Sequence, residues 1–525
     1  MIILDGFKTF NFRLFIAIFI TKLLPTIYLT VRWYFLGYIP TDWGFNIASQ
    51  MQWLNLVYEI IQEMFIYPLY HLLGEALSDS KEFQNRVRGG LFVTFIVYSL
   101  VSVVVICATR PLLVLMAQQE ELIDMSITYI RLETVGIIIN SLWSFTILVF
   151  VTLRKDIYMY ITLVIQVVLS IILDTFLVSD LRVSAHLGVN GIAVTNIVAN
   201  FINLCVSLYL LHREGILKLN KNDFVPNFKW LLKWFNIGKY SGLESFCRNF
   251  AFMMMVIRMA NSINQSGTYW VSNNFIWQYL LLPTLALSDL VKKEVAEDIT
   301  NIRKKTCGYL LMSFVFIALW LISIPVWKPY MYYVINLPMY QDVYPVVLVQ
   351  TGFYFSFIFN NAIMDSTFYG AGKTLYLLIQ SICISVIYYG IMFILYKKDI
   401  FVPTLHSISL MFGFGILLDF IPTFVLYWRF LKKKQIMIDL TFREQDKQND
   451  TLLKDLSDSS LSPPLSPALD PTQNTKSIVD FIDAIEIPNE NGDDGNNVVI
   501  NDNNEVMENR ETNRDVKNIE DLDIE

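Results

Sequence analysis

Leu91–Ala108 reads LFVTFIVYSLVSVVVICA, and Tyr309–Trp327 reads YLLMSFVFIALWLISIPVW. Each run approaches the roughly 20 apolar residues that cross a hydrocarbon core about 30 Å thick. Working outward, similar runs recur along most of the chain, parted by short polar stretches. Of the 525 residues 54% are hydrophobic and 17% charged. A water-soluble chain of this composition would carry more apolar surface than one core can hide. The reading is an all-α integral membrane protein. Residues Met1–Arg13 lead directly into the first apolar run with no small-residue cleavage site, so that run is expected to remain as a helix.

Twelve apolar blocks can be counted. Six run over 14–38, 45–73, 91–116, 123–150, 157–179 and 187–211. Six more run over 236–260, 268–291, 308–331, 343–369, 374–396 and 404–431. The connector 212–235 is basic and polar. An offset of about 216 residues pairs Lys22 with Lys239, Trp53…Pro68 with Trp270…Pro283, Gly136 with Gly352, and Ile192 with Ile408. Recurrence at one offset predicts a duplicated unit: two six-helix bundles, 14–211 and 236–431, related by a pseudo-twofold along the membrane normal. Duplication of this kind is common in secondary transporters.

Charge sets the orientation. With the amino terminus cytoplasmic, inner connections hold about twenty Lys and Arg and outer ones about five, the positive-inside bias. Both termini are therefore expected in the cytoplasm. From Thr441 onward there are 21 acids against 7 bases, which leaves the rest of the chain at about +7 within a whole-chain charge of −7. The segment 432–525 reads as a disordered, acidic cytoplasmic tail, with Ser462-Pro463 and Ser466-Pro467 as candidate kinase sites. Five dispersed cysteines without a CxxC and four dispersed histidines give no support for a disulfide framework or a bound metal.

Ionisable residues inside apolar blocks are costly and mark function by default. Glu59 and Glu63, four apart, share a helix face, as do Glu244 and Arg248. Glu244, Glu59, Glu63 and Asp365 are the candidates for coupling a cation, because a carboxylate among other carboxylates can exchange a proton for an ion. Arg248, Glu133, Asn360 and Asn361 are candidates for lining a substrate cavity. So are Trp270, Asn273, Asn274 and Trp277, where aromatic faces and amides suit an organic cation; packing and an interfacial aromatic belt are the alternative for those rings. Asp174 and Arg131 sit near block ends and are expected to snorkel. Asp365 is also placed to cap the loop that follows it.

TYIRLETVGIIINSLWSF (Thr128–Phe145), LGVNGIAVTNIVAN (Leu187–Asn200), LESFCRNFAFMMMVIRMAN (Leu243–Asn261), GTYWVSNNFIWQYLLLP (Gly267–Pro283) and DSTFYGAGKT (Asp365–Thr374) together resemble the multidrug and toxic compound extrusion (MATE) transporters. The second-half stretches resemble the sodium-driven prokaryote-type subgroup. The resemblance spans about 10–432. It implies paired six-helix bundles, alternating access, and antiport export of organic cations against sodium or protons, with no cofactor beyond the coupling ion. It departs from the family pattern in three places. The first helix carries Lys22 and Arg32 where members often have an acid, Glu244 lies shallower than the usual seventh-helix acid, and Asn360 and Asn361 stand near the usual tenth-helix acid. The expectation is a monomeric efflux antiporter for a small-molecule substrate, with the bilayer as its medium and no nucleic-acid partner. The plasma membrane is the expected location and an organelle membrane the alternative. A lipid-linked oligosaccharide flippase of the same superfamily is the rival reading, and a non-transport membrane protein a further one. An enzyme is not expected, since HExxH, GxGD aspartates and serine-nucleophile motifs are missing.

Overall fold

A computed structural model describes residues 10–39, 43–77, 79–153, 155–217 and 227–436. Most of the acidic tail, including Ser462 and Ser466, lies outside the described residues. Among those described, the structure is helical throughout, with short connections. Among the described residues, nine helices are long and apolar enough to cross a membrane. They are α1 (Phe12–Leu36), α3 (Ser80–Leu115), α4 (Glu120–Thr152), α5 (Ile157–Leu177), α6 (Val189–Arg213), α9 (Asn301–Val334), α10 (Tyr340–Gly370), α11 (Leu375–Lys397) and α12 (Leu405–Lys433). Three further stretches, α2 (43–75), α7 (231–262) and α8 (266–297), are helical almost without break but assembled from shorter pieces.

Helix α3 starts eleven residues before the apolar block that announced it. The Asp79 side chain accepts hydrogen bonds from the Lys81 and Glu82 amides, so the polar stretch before Leu91 is capped and joins the helix. Helix α9 likewise takes in the basic stretch from Asn301. Hydropathy reports the apolar part of a helix, not its solvated first turns.

The three composite helices show where the chain bends. Helix α2 holds a π turn at Gln62–Ile66 and α8 another at Ile276–Leu280. Pro68 follows the first and Pro283 the second. A proline ring clashes with the carbonyl four residues back and offers no N–H, and both four-back residues, Met64 and Tyr279, lie inside the π turns. Neighbouring carbonyls of the two π turns are bonded from outside their helices. Ser241 Oγ donates to Glu63 O (2.6 Å) and Trp234 Nε1 to Phe65 O (2.7 Å). Trp320 Nε1 donates to Leu280 O (2.6 Å). The two prolines, 215 residues apart, thus each follow a π turn in their helix.

Helix pairing follows the same scheme in each half. Helix α1 packs on α5 and α7 on α11; α4 packs on α6 and α10 on α12; α2 crosses α7 while α8 crosses α1. The α2–α7 crossing is tight. A Cβ built on Gly238 would sit 1.9 Å from Met64 O, and one on Gly242 2.8 Å from Met64 Cβ. Away from the chain ends the halves are joined by buried amides. Gln50 Nε2 donates to Asn261 Oδ1 (3.0 Å), Asn261 Nδ2 to Met116 O (2.8 Å), and the Gly267 amide to Asn46 Oδ1 (2.7 Å).

Candidate functional site

Most of the long helices present a row of exposed large apolar side chains, such as Phe92, Leu100, Val103 and Val104 on α3. Among the described residues, α2 and α8 expose none. Two helices with no apolar outer face are interior to the assembly.

Helix α7 carries both characters. Leu243, Phe246 and Phe250 are exposed along one side. At about 100° per residue, Arg248 projects to the opposite side, with Glu244 one turn before it. There Arg248 Nη1 donates to Glu244 Oε1 (2.9 Å) and Nη2 to Glu59 Oε1 (3.0 Å) on α2, with Glu63 Oε1 at 3.6 Å. Ser381 Oγ of α11 donates to Glu244 Oε1 (2.6 Å). The Glu59 and Arg248 side chains are 41% and 40% exposed, against 14% for Glu63 and 8% for Glu244. Three carboxylates around one guanidinium leave an acid surplus, and the two outer groups reach solvent on the side turned away from the lipid face.

Helix α10 brings a second group close by. Its π turn, Asn360–Asp365, breaks the regular ladder as π turns often do at functional sites. Asp365 accepts from Gln380 Nε2 of α11 (2.9 Å), and Gln380 Oε1 accepts from Thr423 Oγ1 of α12 (2.9 Å). Asn360 Nδ2 donates to Asp419 Oδ2 of α12 (2.8 Å). Asn360 Oδ1 and Asn361 Oδ1 are buried with no hydrogen-bond partner among the described residues. The expectation that Asp365 caps the next loop is corrected: it is bonded to the neighbouring helix α11 instead.

Other candidates fall elsewhere. Trp270 packs against Trp33 (centroids 5.9 Å apart). Trp277 Nε1 donates to Tyr354 Oη (3.0 Å), which donates in turn to Asn273 Oδ1 (3.4 Å). These rings border an apolar cluster shared by α1, α8, α9 and α10, and Asn274 is half-buried beside them. Glu133 is buried in the first half and accepts from Asn196 Nδ2 at 3.0 and 3.1 Å. Asp174 is fully buried and paired to Arg32 at 2.8 Å, so the snorkelling expectation for it is corrected. Sequence reasoning missed Ser381, Gln380 and Thr423 altogether. Hydroxyl and amide residues are common on membrane helices, and only tertiary contact distinguishes these three. Among the described residues no group of three or more His, Cys, Asp or Glu is arranged to hold a metal ion.

No family model matches the sequence, and no curated protein matches it. Solved structures do. An inward-facing conformation of a multidrug resistance MATE family transporter of the MOP superfamily superposes with a TM-score of 0.65 at 15% identity, covering 80% of this chain and 98% of its own. A MOP superfamily transporter from Pyrococcus furiosus gives 0.59 at 17% identity, over 80% and 95%. A mutant of the Vibrio cholerae MATE transporter VcmN gives 0.59 at 15%, over 84% and 99%. The chain is a multi-pass, helical membrane protein. Its fold is that of the MATE transporters.

Proposed function

We propose that this chain is a secondary active transporter that exports organic cations in exchange for sodium or protons. The carrying observation is the acid-rich group of Glu59, Glu63 and Glu244 around Arg248, which faces away from the lipid side of α7 and reaches solvent at Glu59 and Arg248. A cationic solute finds surplus negative charge there, and α2 and α7 approach it from opposite halves. In this reading α2, α7 and α8 complete twelve crossings. These form bundles 14–211 and 236–431 about a pseudo-twofold, joined by the connector 212–235, and both termini are cytoplasmic. The repeated helix pairing and the twin proline π turns support that arrangement.

Asp365, Asp419 and Asn360 form the neighbouring place for the coupling ion, since carboxylates and unpartnered amide oxygens suit a hard cation. Trp270, Asn273, Asn274, Trp277 and Asn361 line the approach. The protein works as a monomer in the plasma membrane or an organelle membrane, and sodium coupling follows the subgroup its second half resembles. Counterflow in proteoliposomes tests the reading. Exchange of a labelled small organic cation driven by an imposed sodium or proton gradient is the expected result. Movement of a lipid-linked saccharide with no cation exchange would replace it with the flippase reading.

A further inference from the structure

Arg32 and Arg248 stand 216 residues apart, the offset that relates the two halves, each on the first helix of its half. Their surroundings differ. Arg248 is half-exposed and bonded across to the other half. Arg32 is sealed. Its Nε donates to Asp174 Oδ2 (2.8 Å), Nη2 to Asp174 Oδ1 (3.4 Å) and Nη1 to Asn196 Oδ1 (3.0 Å). Asn196 passes the contact on to both Glu133 oxygens. The Tyr28 ring lies 5.6 Å from the guanidinium carbon. Arg32, Asp174 and Glu133 are 7%, 0% and 3% exposed, and α1, α4, α5 and α6 each contribute a group.

Without the guanidinium, the remainder is a buried cradle of two carboxylates, an amide oxygen and an aromatic face. That is a donor set for a small monovalent cation, from oxygen ligands and a π face together. Two carboxylates in such a place do not persist without a counter-charge. The chain supplies one covalently, and the planar guanidinium meets Asp174 in a two-point contact that a free ion cannot displace easily.

We propose that Arg32 is a permanently installed cation. It fills, in the first half, a site whose chemistry suits an exchangeable ion, so this half exchanges none. Resting on the antiport reading above, ion traffic then runs through the second half alone. Arg248, the equivalent residue there, leaves carboxylates in contact with solvent.

The experiment uses the purified full-length chain in detergent and reads melting, so it does not depend on transport. Arg32→Ala is expected to melt below wild type and to regain much of the loss, saturably, with millimolar guanidinium, and in smaller part with sodium, at ionic strength held constant with choline. Wild type and the double variant Arg32→Ala/Asp174→Asn should show no such recovery. A response of Arg32→Ala to both ions no larger than that of wild type overturns the proposal. If Arg32→Ala does not accumulate folded, equilibrium binding of radioactive sodium decides. Glu133→Gln should bind as much as wild type, and a loss of bound sodium would show that the first half does exchange ions. Loss of transport with these binding results intact would count against the antiport reading and not against the filled site.

Discussion

Gly238→Ala puts one methyl group where α7 crosses the π turn of α2. The added carbon would lie 1.9 Å from Met64 O and 2.9 Å from its carbonyl carbon, both main-chain atoms that no rotamer change can move. Reaching ordinary contact requires the added carbon and Met64 O to part by about 1.5 Å, and overpacking of that kind costs roughly 1–3 kcal/mol. Separation also stretches Ser241 Oγ to Glu63 O (2.6 Å), Trp234 Nε1 to Phe65 O (2.7 Å) and Lys233 Nζ to Glu75 Oε1 (2.7 Å). Interhelical hydrogen bonds in membranes average about 0.6 kcal/mol each, so losing the first two brings the total to about 2–4 kcal/mol. Gly352→Ala is the control, because a Cβ there meets nothing within 4 Å. Thermal unfolding in detergent should show a clear fall in midpoint for Gly238→Ala and none for Gly352→Ala. Equal midpoints for Gly238→Ala and wild type would refute the tight crossing and with it the placement of Glu63 beside Arg248.

Asp174→Asn strips a buried guanidinium of its partner and should cost about 3–5 kcal/mol, whereas Glu59→Gln breaks a half-exposed pair and should cost under about 1 kcal/mol; chemical unfolding checks the ranking. Pro68→Ala allows the N–H of residue 68 to bond Met64 O again, so α2 should straighten and transport should fall more than melting does. Glu214, just past α6, has its carboxyl held below the usual range by the Tyr158 hydroxyl that donates to it, with Lys155 assisting. Its stabilising contribution is therefore complete above the ordinary glutamate pKa and is lost as pH falls through the depressed value. Tyr158→Phe should flatten that acid-side slope in a melting series.

The sequence made the spans legible because apolar runs must match bilayer thickness, and α1, α4, α6 and α12 fall within a few residues of their blocks. The Glu244–Arg248 pair was legible from helical spacing alone. Its partners Glu59 and Glu63 were visible as a second pair, but nothing local said that the two pairs meet; that follows from glycines 238 and 242 letting α7 close on α2. Asp174 read as an interfacial group because its block ends nearby, and only the fold reveals Arg32 opposite. The bond of Asp419 to Asn360 depends on a π turn that no periodicity announces.

The most direct test is efflux of an organic cation from proteoliposomes at fixed pH with sodium varied, comparing wild type with Glu244→Gln. The account predicts gradient-driven efflux in wild type and at least a tenfold loss in the variant, the cost of about 1.4 kcal/mol or more in a site that has lost the carboxylate charge facing Arg248. Equal efflux from both proteins, indifferent to any imposed ion gradient, would contradict it.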